Sequence, residues 1–304
     1  MKRDFLAITD FSSREVEATL ELAKKLKRDA KRGKCEPLLR GKTLAMVFEK
    51  PSARTRVSFE VGMFQLGGHA LYLGPNEIGL GKRESVADVA RVLSRYCDGI
   101  MARLFGHEVI EELARFASVP VINGLTDLLH PCQVMGDVLT IIEHKGRMEG
   151  LKVAWVGDGN NVANSWLNMA SRLPFTLHLA CPEGYDPNEA ILARAKGAGV
   201  SEVKLFRDPK EAVRGADVIY TDVWASMGQE AEAEARKKVF RPYQVNEELV
   251  AMAAPDCIVM HCLPAHRGDE ITDAVIDGPH SVVFDEAENR LHVQKAIMVT
   301  LMRA

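Results

Sequence analysis

Short apolar runs alternate along this chain with longer segments of helical period, and near its middle the alternation breaks and restarts. Ser12 or Ser13 is placed to cap a helix running to Gly33, with Val16, Leu20, Ala23 and Leu26 on one face. The run KTLAMVF (42–48) reads as a strand and leads into a helix opening near Ser52; HALYL (69–73) is the next strand. A looser GPNEIGLGKRES follows, then a helix over 84–97, the strand DGIMARL, a helix from 107 and the strand VPVIN. After a long helix over 133–147 the rhythm starts again with LKVAWVG, a helix from Asn161, FTLHLA, a helix over 188–198, VKLF and DVIYTD. CIVMHC and SVVFDE read as two further strands before a last helix over 286–303. Strands separated by helices must pair in parallel, because the helix carries the chain back to the same end of the sheet. The sequence therefore predicts an α/β fold of two doubly wound parallel-sheet domains, 1–147 and 148–285. The long helix is the connector between them, and the C-terminal helix (286–304) is expected to pack back on the first domain.

A length of 304 residues agrees with two cores, at roughly 150 residues for each. The formal charge of −3 argues against a general nucleic-acid binder, since phosphate backbones call for a basic surface. No run approaches the ~20 apolar residues of a membrane span, and MKRDFLAITDFSS lacks the apolar centre of a signal peptide. The six cysteines form no CxxC pair, so reduced thiols in a cytoplasmic protein are expected, with no structural metal. Any anion site in such a chain has to be local.

FEKPSARTRVSFE (48–60) is the strongest candidate for that site. The first backbone N–H groups of a helix lack internal partners and sit at the positive end of its dipole. Ser52, Ala53, Arg54 and Thr55 would present those groups with two hydroxyls beside them, a cradle for phosphate; the plainer reading is a serine cap with exposed arginines. Positions 54 and 56 lie about 200° apart around a helix, so the two arginines do not lean on one phosphate from the same face. Arg54 is the better ligand, while Arg56 stands four residues before Glu60, the spacing of a surface ion pair. Gly157-x-Gly159, after a strand and before a helix, raises a dinucleotide site, but the third glycine of that motif is absent.

Ser-x-Arg-Thr-Arg after a short strand resembles the carbamoyl-phosphate motif of the aspartate/ornithine carbamoyltransferase family. MARLFGH (101–107), HPCQ (130–133), DVWASMGQE (222–230) and HCLPAHRG (261–268) are similar to further motifs of that family, in the same order. The likeness covers almost the whole chain, and the last two motifs are those of its ornithine-using members. It implies transfer of the carbamoyl group of carbamoyl phosphate to the δ-amine of L-ornithine, giving L-citrulline and phosphate, without organic cofactor or metal. It also implies a homotrimer or a higher homo-oligomer with active sites at subunit interfaces.

Residue by residue, the resemblance places carbamoyl phosphate on Ser52, Ala53, Arg54 and Thr55, with Arg103 and His130 on its oxygens and Gln133 on its amide. Arg290, otherwise an ordinary helix-surface residue, joins them, and Cys262 and Leu263 line the carbamoyl and amine pocket. Ornithine falls to Asn161, Asp222, Ser226 and Met227, with Asp222 facing the α-amino group. Arg54, Arg103, His130 and Cys262 are the catalytic candidates, although Cys262 is not read as a nucleophile: carbamoyl phosphate is already activated and the amine attacks it directly. Two positions depart from the family pattern. Ala53 stands where the family usually has threonine, and Gly79 where a glutamine often reaches into the neighbouring subunit; Lys82 or Arg83 are its candidate replacements. Beside this reading stand transfer to aspartate, putrescine or an acylated ornithine, a non-catalytic binding protein, and a nicotinamide oxidoreductase.

Overall fold

The computed structural model describes residues 2–81, 83–225 and 232–303. It divides into two compact units, one built from residues up to Leu139 together with those from Glu288 on, the other from Thr140 to Ala287.

In the first unit, Ser12 caps α1 (Ser13–Lys31) reciprocally. Its hydroxyl accepts from Glu15 N, and the Glu15 carboxylate accepts from Ser12 N over 2.9 Å. The order continues with β1 (Thr43–Phe48), α2 (Ala53–Gln65), β2 (His69–Leu73), α3 (Pro75–Ile78) and α4 (Val86–Tyr96). Then come β3 (Gly99–Arg103), α5 (His107–Phe116) and β4 (Val121–Leu125). The four strands are parallel in the order β2-β1-β3-β4. Ala45, Val47, Ile100, Ala102 and Val121 pack on Val89, Ala90, Ile110 and Leu113, so one face of the sheet is closed by α4 and α5. The chain winds outward in opposite directions from β1 and β3, which leaves a crevice at the carboxyl ends of those two strands.

α6 (Pro131–Lys145) opens on a proline at its first position, where a missing N–H does no harm. The second unit contains β5 (Lys152–Val156), α7 (Asn161–Ala170), β6 (Thr176–Ala180), α8 (Glu189–Ala198), β7 (Glu202–Phe206) and α9 (Pro209–Val213). It continues with β8 (Val218–Thr221), α10 (Ala233–Phe240), α11 (Glu247–Val250), β9 (Ile258–His261) and α12 (Asp273–Ile276). Its five strands are parallel in the order β7-β6-β5-β8-β9, and the direction of winding reverses between β5 and β8.

α13 (Val283–Met302) is the last helix of the described residues, and from Glu288 on it belongs to the first unit. Lys295 Nζ donates to Gln65 Oε1 over 2.7 Å, and Asn289 Oδ1 accepts from Lys27 Nζ over 2.8 Å. The expected strand SVVFDE is not one: only Ser281 bridges to Val259, and the helix has begun by Val283. The exposures explain why. Val282 and Val283 are both buried while Phe284 is 66% exposed and Glu286 is buried, a pattern of helical rather than two-residue period. Among the described residues no helix is long and apolar enough to cross a membrane. All six cysteines are free thiols, and burial pushes Cys132 and Cys257 up to about 12.

Candidate active site

At the carboxyl end of β1, Pro51 and the extended backbone of Ser52 stop the strand, and Ser52 becomes the cap of α2. Its Oγ accepts from Thr55 N over 3.3 Å and lies 3.2 Å from Thr55 Oγ1. Arg54 is exposed on the first turn, whereas Thr55 is fully buried. Arg56 turns the other way: its Nε donates to Glu60 Oε1 over 3.1 Å and its guanidinium lies 4.1 Å from the centre of the Tyr72 ring. The ion pair expected from the sequence is present.

Arg103 is the last residue of β3, set opposite Phe48 of β1, and the register to β4 shifts there. It is buried, as are His130, Gln133 and Arg290. Arg290 comes from α13, and its Nη2 donates to Thr55 Oγ1 over 3.1 Å. Gln133, in the first turn of α6, gives its Nε2 to Asp137 Oδ1 over 2.8 Å. Burial holds the His130 imidazole well below its ordinary range, and the guanidinium groups of Arg290, Arg103 and Arg54 push it the same way. His130 is therefore a neutral ring among three cations, a donor rather than a charge near neutral pH. The sequence missed Lys50, which is buried beside this motif, bonded to Asp127 and set 4.2 Å from the centre of the Phe105 ring.

In the second unit, the carboxyl ends of β5, β8 and β9 carry a separate cluster. Asn160, rather than Asn161, caps α7, its Oδ1 accepting from Val162 N and Ala163 N. Asn160 Nδ2 donates to Asp222 Oδ2 over 2.7 Å, while Asp222 Oδ1 accepts from Cys262 Sγ over 2.9 Å and from Val223 N over 2.8 Å. Asn161, the residue singled out in the sequence, is the first of the helix and partly exposed. The Asn-Asn pair was the signal for the cap, since either residue fits it.

Asp158 was also missed. Burial raises its carboxyl to about 6 against the pull of Arg236, with the Asp222 charge adding to the rise. Arg236 bonds both Asp158 and the carbonyl of Trp224. Gly159 is fixed by packing: a Cβ there would lie 2.2 Å from Pro187 N. Gly157 sits at φ 139°, a backbone that favours glycine, so both glycines have a structural cause.

Asp222, His261 and Cys262 offer ligand atoms within 4.8 Å of one another, a spacing a metal ion could use. Both ring nitrogens of His261 are already engaged, Nδ1 by Leu263 N at 2.9 Å and Nε2 by Glu270 Oε1 at 3.1 Å. Metal binding would have to break one of those bonds. Ser226 and Met227 lie outside the described residues, as does Lys82.

The chain matches two family models: the carbamoyl-P binding domain of aspartate/ornithine carbamoyltransferase over residues 3–143, and the Asp/Orn binding domain over residues 149–301. The chain belongs to the aspartate/ornithine carbamoyltransferase family. An ornithine carbamoyltransferase of Syntrophus aciditrophicus is 61% identical over 302 residues, covering 99% of this chain and 100% of that protein. The ornithine carbamoyltransferase of Pyrococcus furiosus described as anabolic is 56% identical over 303 residues, 99% of this chain and 96% of its own length. Among solved structures, ornithine carbamoyltransferase from Pyrococcus furiosus superimposes with a TM-score of 0.95 at 55% identity, covering 99% of this chain and 97% of that one. The anabolic ornithine carbamoyltransferase of Campylobacter jejuni gives 0.94 at 40% identity, with 98% of each chain covered.

For this member of the carbamoyltransferase family, the structure also accounts for the departure at position 79. Gly79 terminates α3 in the left-handed region at φ 52°, and a Cβ there would sit 2.9 Å from Arg83 Cβ. A side chain at 79 would strain this turn whatever its chemistry.

Proposed function

We propose that this chain transfers the carbamoyl group of carbamoyl phosphate to the δ-amine of L-ornithine, yielding L-citrulline and phosphate in the direction of arginine biosynthesis. The observation that carries the reading is the first-unit cluster. Arg54, Arg103 and Arg290 act on one buried neutral His130 beside a capped helix start. Such a cluster suits a small dianion joined to a polar carbonyl. Relatives named for ornithine, two of them called anabolic, support the acceptor and the direction.

In the proposed reaction the helix start at Ser52–Thr55 and Arg54 hold the phosphate, and Arg290 steadies Thr55. The uncharged δ-amine attacks the carbonyl carbon. Negative charge then grows on the carbonyl oxygen, where Arg103, His130 and Thr55 serve as preorganised donors. With Gln133 Nε2 given to Asp137, the side-chain carbonyl of Gln133 is the end suited to the carbamoyl NH2. As the new C–N bond forms, the C–O bond to phosphate breaks, and the leaving phosphate takes the ammonium proton. Asp222 pairs with the α-ammonium of ornithine, Asn161 holds its amino-acid end, and Cys262 and Leu263 line the amine and carbamoyl pocket. The family resemblance adds Ser226 and Met227 to the ornithine contacts. The remaining acceleration is orientation of two bound reactants.

The proposed assembly is a homotrimer or a stack of trimers, in the cytoplasm, where thiols stay reduced. Val57, Val61 and Phe64 stand exposed at helical spacing on α2, with Phe64 80% exposed, and Leu71 is exposed on the edge strand β2. An apolar stripe of this kind calls for a covering partner, and a second copy of the chain is the occupant proposed.

The deciding experiment is a colour assay for the carbamoylated product with ornithine, aspartate, putrescine and N-acetylornithine offered separately. Citrulline from ornithine alone is expected. Absence of any product, or preference for another acceptor, would overturn the reading.

A further inference from the structure

The turn at Cys262 and Leu263 hangs on a polar network that the proposed reaction does not itself use. Leu263 is non-glycine yet lies in the left-handed region at φ 55°, a conformation that persists only when neighbours hold it. Its N–H donates to His261 Nδ1 over 2.9 Å. An acceptor nitrogen carries no proton, so the imidazole proton resides on Nε2. That proton faces Glu270 Oε1 at 3.1 Å, and the same oxygen accepts from His266 N over 2.5 Å. His261 and Glu270 are both fully buried. From the other side, Glu286 Oε2 accepts from His261 N over 2.9 Å while its Oε1 accepts from Tyr220 Oη over 2.9 Å.

We propose that Glu270 is a positioning residue: by fixing the Nε2–H tautomer of His261 it makes Nδ1 the acceptor that sets the Cys262–Leu263 turn, and so aims the Cys262 thiol at Asp222. The alternative tautomer would point an N–H at the Leu263 N–H, and two donors cannot share that bond. The inference rests on the proposed ornithine-site role of Cys262 and Asp222 for its catalytic consequence, but the tautomer and the thiol geometry are measurable without substrate.

The test uses the full-length protein and the variants Glu270→Gln and Glu270→Leu. Gln retains a side-chain oxygen able to accept from His261 and His266, whereas Leu retains none. In protein carrying 15N-labelled histidine at pH 7.5, His261 is expected to show the Nε2–H form in the wild type and in Glu270→Gln, and to lose it in Glu270→Leu. Alkylation of Cys262 by iodoacetamide, followed by peptide mass spectrometry, should change at least fivefold in Glu270→Leu and less than twofold in Glu270→Gln. The KM for ornithine should rise about tenfold or more in the leucine variant alone. A wild-type His261 protonated on Nδ1 overturns the proposal even if no variant folds. So does a Glu270→Gln protein as impaired as Glu270→Leu, or a Glu270→Leu protein with unchanged tautomer and alkylation. A wild type that makes no citrulline but passes the tautomer and alkylation tests would remove the functional reading and leave the positioning intact.

Discussion

Arg290 donates to Thr55 across 235 positions of sequence, Nη2 to Oγ1 at 3.1 Å. A residue of the C-terminal helix thereby fixes the hydroxyl at the start of α2, and with it the donor that the proposed chemistry aims at the carbamoyl oxygen. Arg290→Gln is expected to raise the KM for carbamoyl phosphate about tenfold or more, in line with loss of a charge-assisted bond. Saturation kinetics for each substrate, with ornithine KM nearly unchanged, checks this.

The two arginines of α2 separate function from framework. Arg54→Ala should lower kcat by about 10²-fold, the scale of one lost transition-state donor. Arg56→Ala should remove about 0.3–0.5 kcal/mol for its exposed pair with Glu60 and a similar or somewhat larger amount for the Tyr72 contact. Thermal melting beside turnover measurement tells them apart. A 56 variant that melts normally but has lost turnover, with the 54 variant active, would reverse the assignment.

Asp222 is expected to govern the acceptor alone. Asp222→Asn removes the charge and sets an amide against Asn160 Nδ2, so ornithine KM should rise roughly ten- to a hundredfold. Affinity for carbamoyl phosphate, measured by calorimetry with a stable analogue, should barely move. Equal losses for both ligands would make the residue structural.

Acid should weaken the fold through its buried histidines. Burial, helped by Lys295, depresses His292 from 6.5 to about 4. As pH falls below 6.5 the unfolded chain takes up the proton that folded His292 refuses, so stability present above 6.5 is lost progressively down to about 4. His130 acts in the same direction. Urea titrations at pH 7.5 and 5.0 should show a smaller loss on acidification for His292→Leu than for the wild type. An equal or larger loss contradicts the assignment.

Light scattering is expected to return a trimer or a multiple of three. Val57→Glu with Phe64→Glu places charge on the exposed stripe of α2 and should yield smaller particles with reduced turnover. A fully active monomer would end the assembly proposal.

Much of this fold was legible because strand and helix periods differ plainly where flanked by turn residues. HALYL became β2 over His69–Leu73 as read. SVVFDE failed because a short apolar run has no distinguishing period, and only tertiary burial of Glu286 beside Tyr220 and His261 reveals the helix. The motif residues of the first unit were visible as types in a pattern. Their supports were not: Asp137 under Gln133, or Glu270 under His261, are ordinary acidic residues until folding brings the partner within bond length. The helix start at Asn161 was read correctly, but Asn160 went unnoticed as its cap and as the partner of Asp222, because that contact joins positions far apart in sequence.

The return of α13 to the first unit sets a timetable. Lys27, Thr55 and Gln65 leave the ribosome well before Asn289, Arg290 and Lys295, with the whole second unit translated between them. During that interval the nascent first unit exposes the surface that α13 will cover and has no Arg290 for its anion cradle. Until the last helix emerges that surface is open to association, and ribosome-bound chains stalled before residue 288 should hold carbamoyl phosphate more weakly than the finished protein.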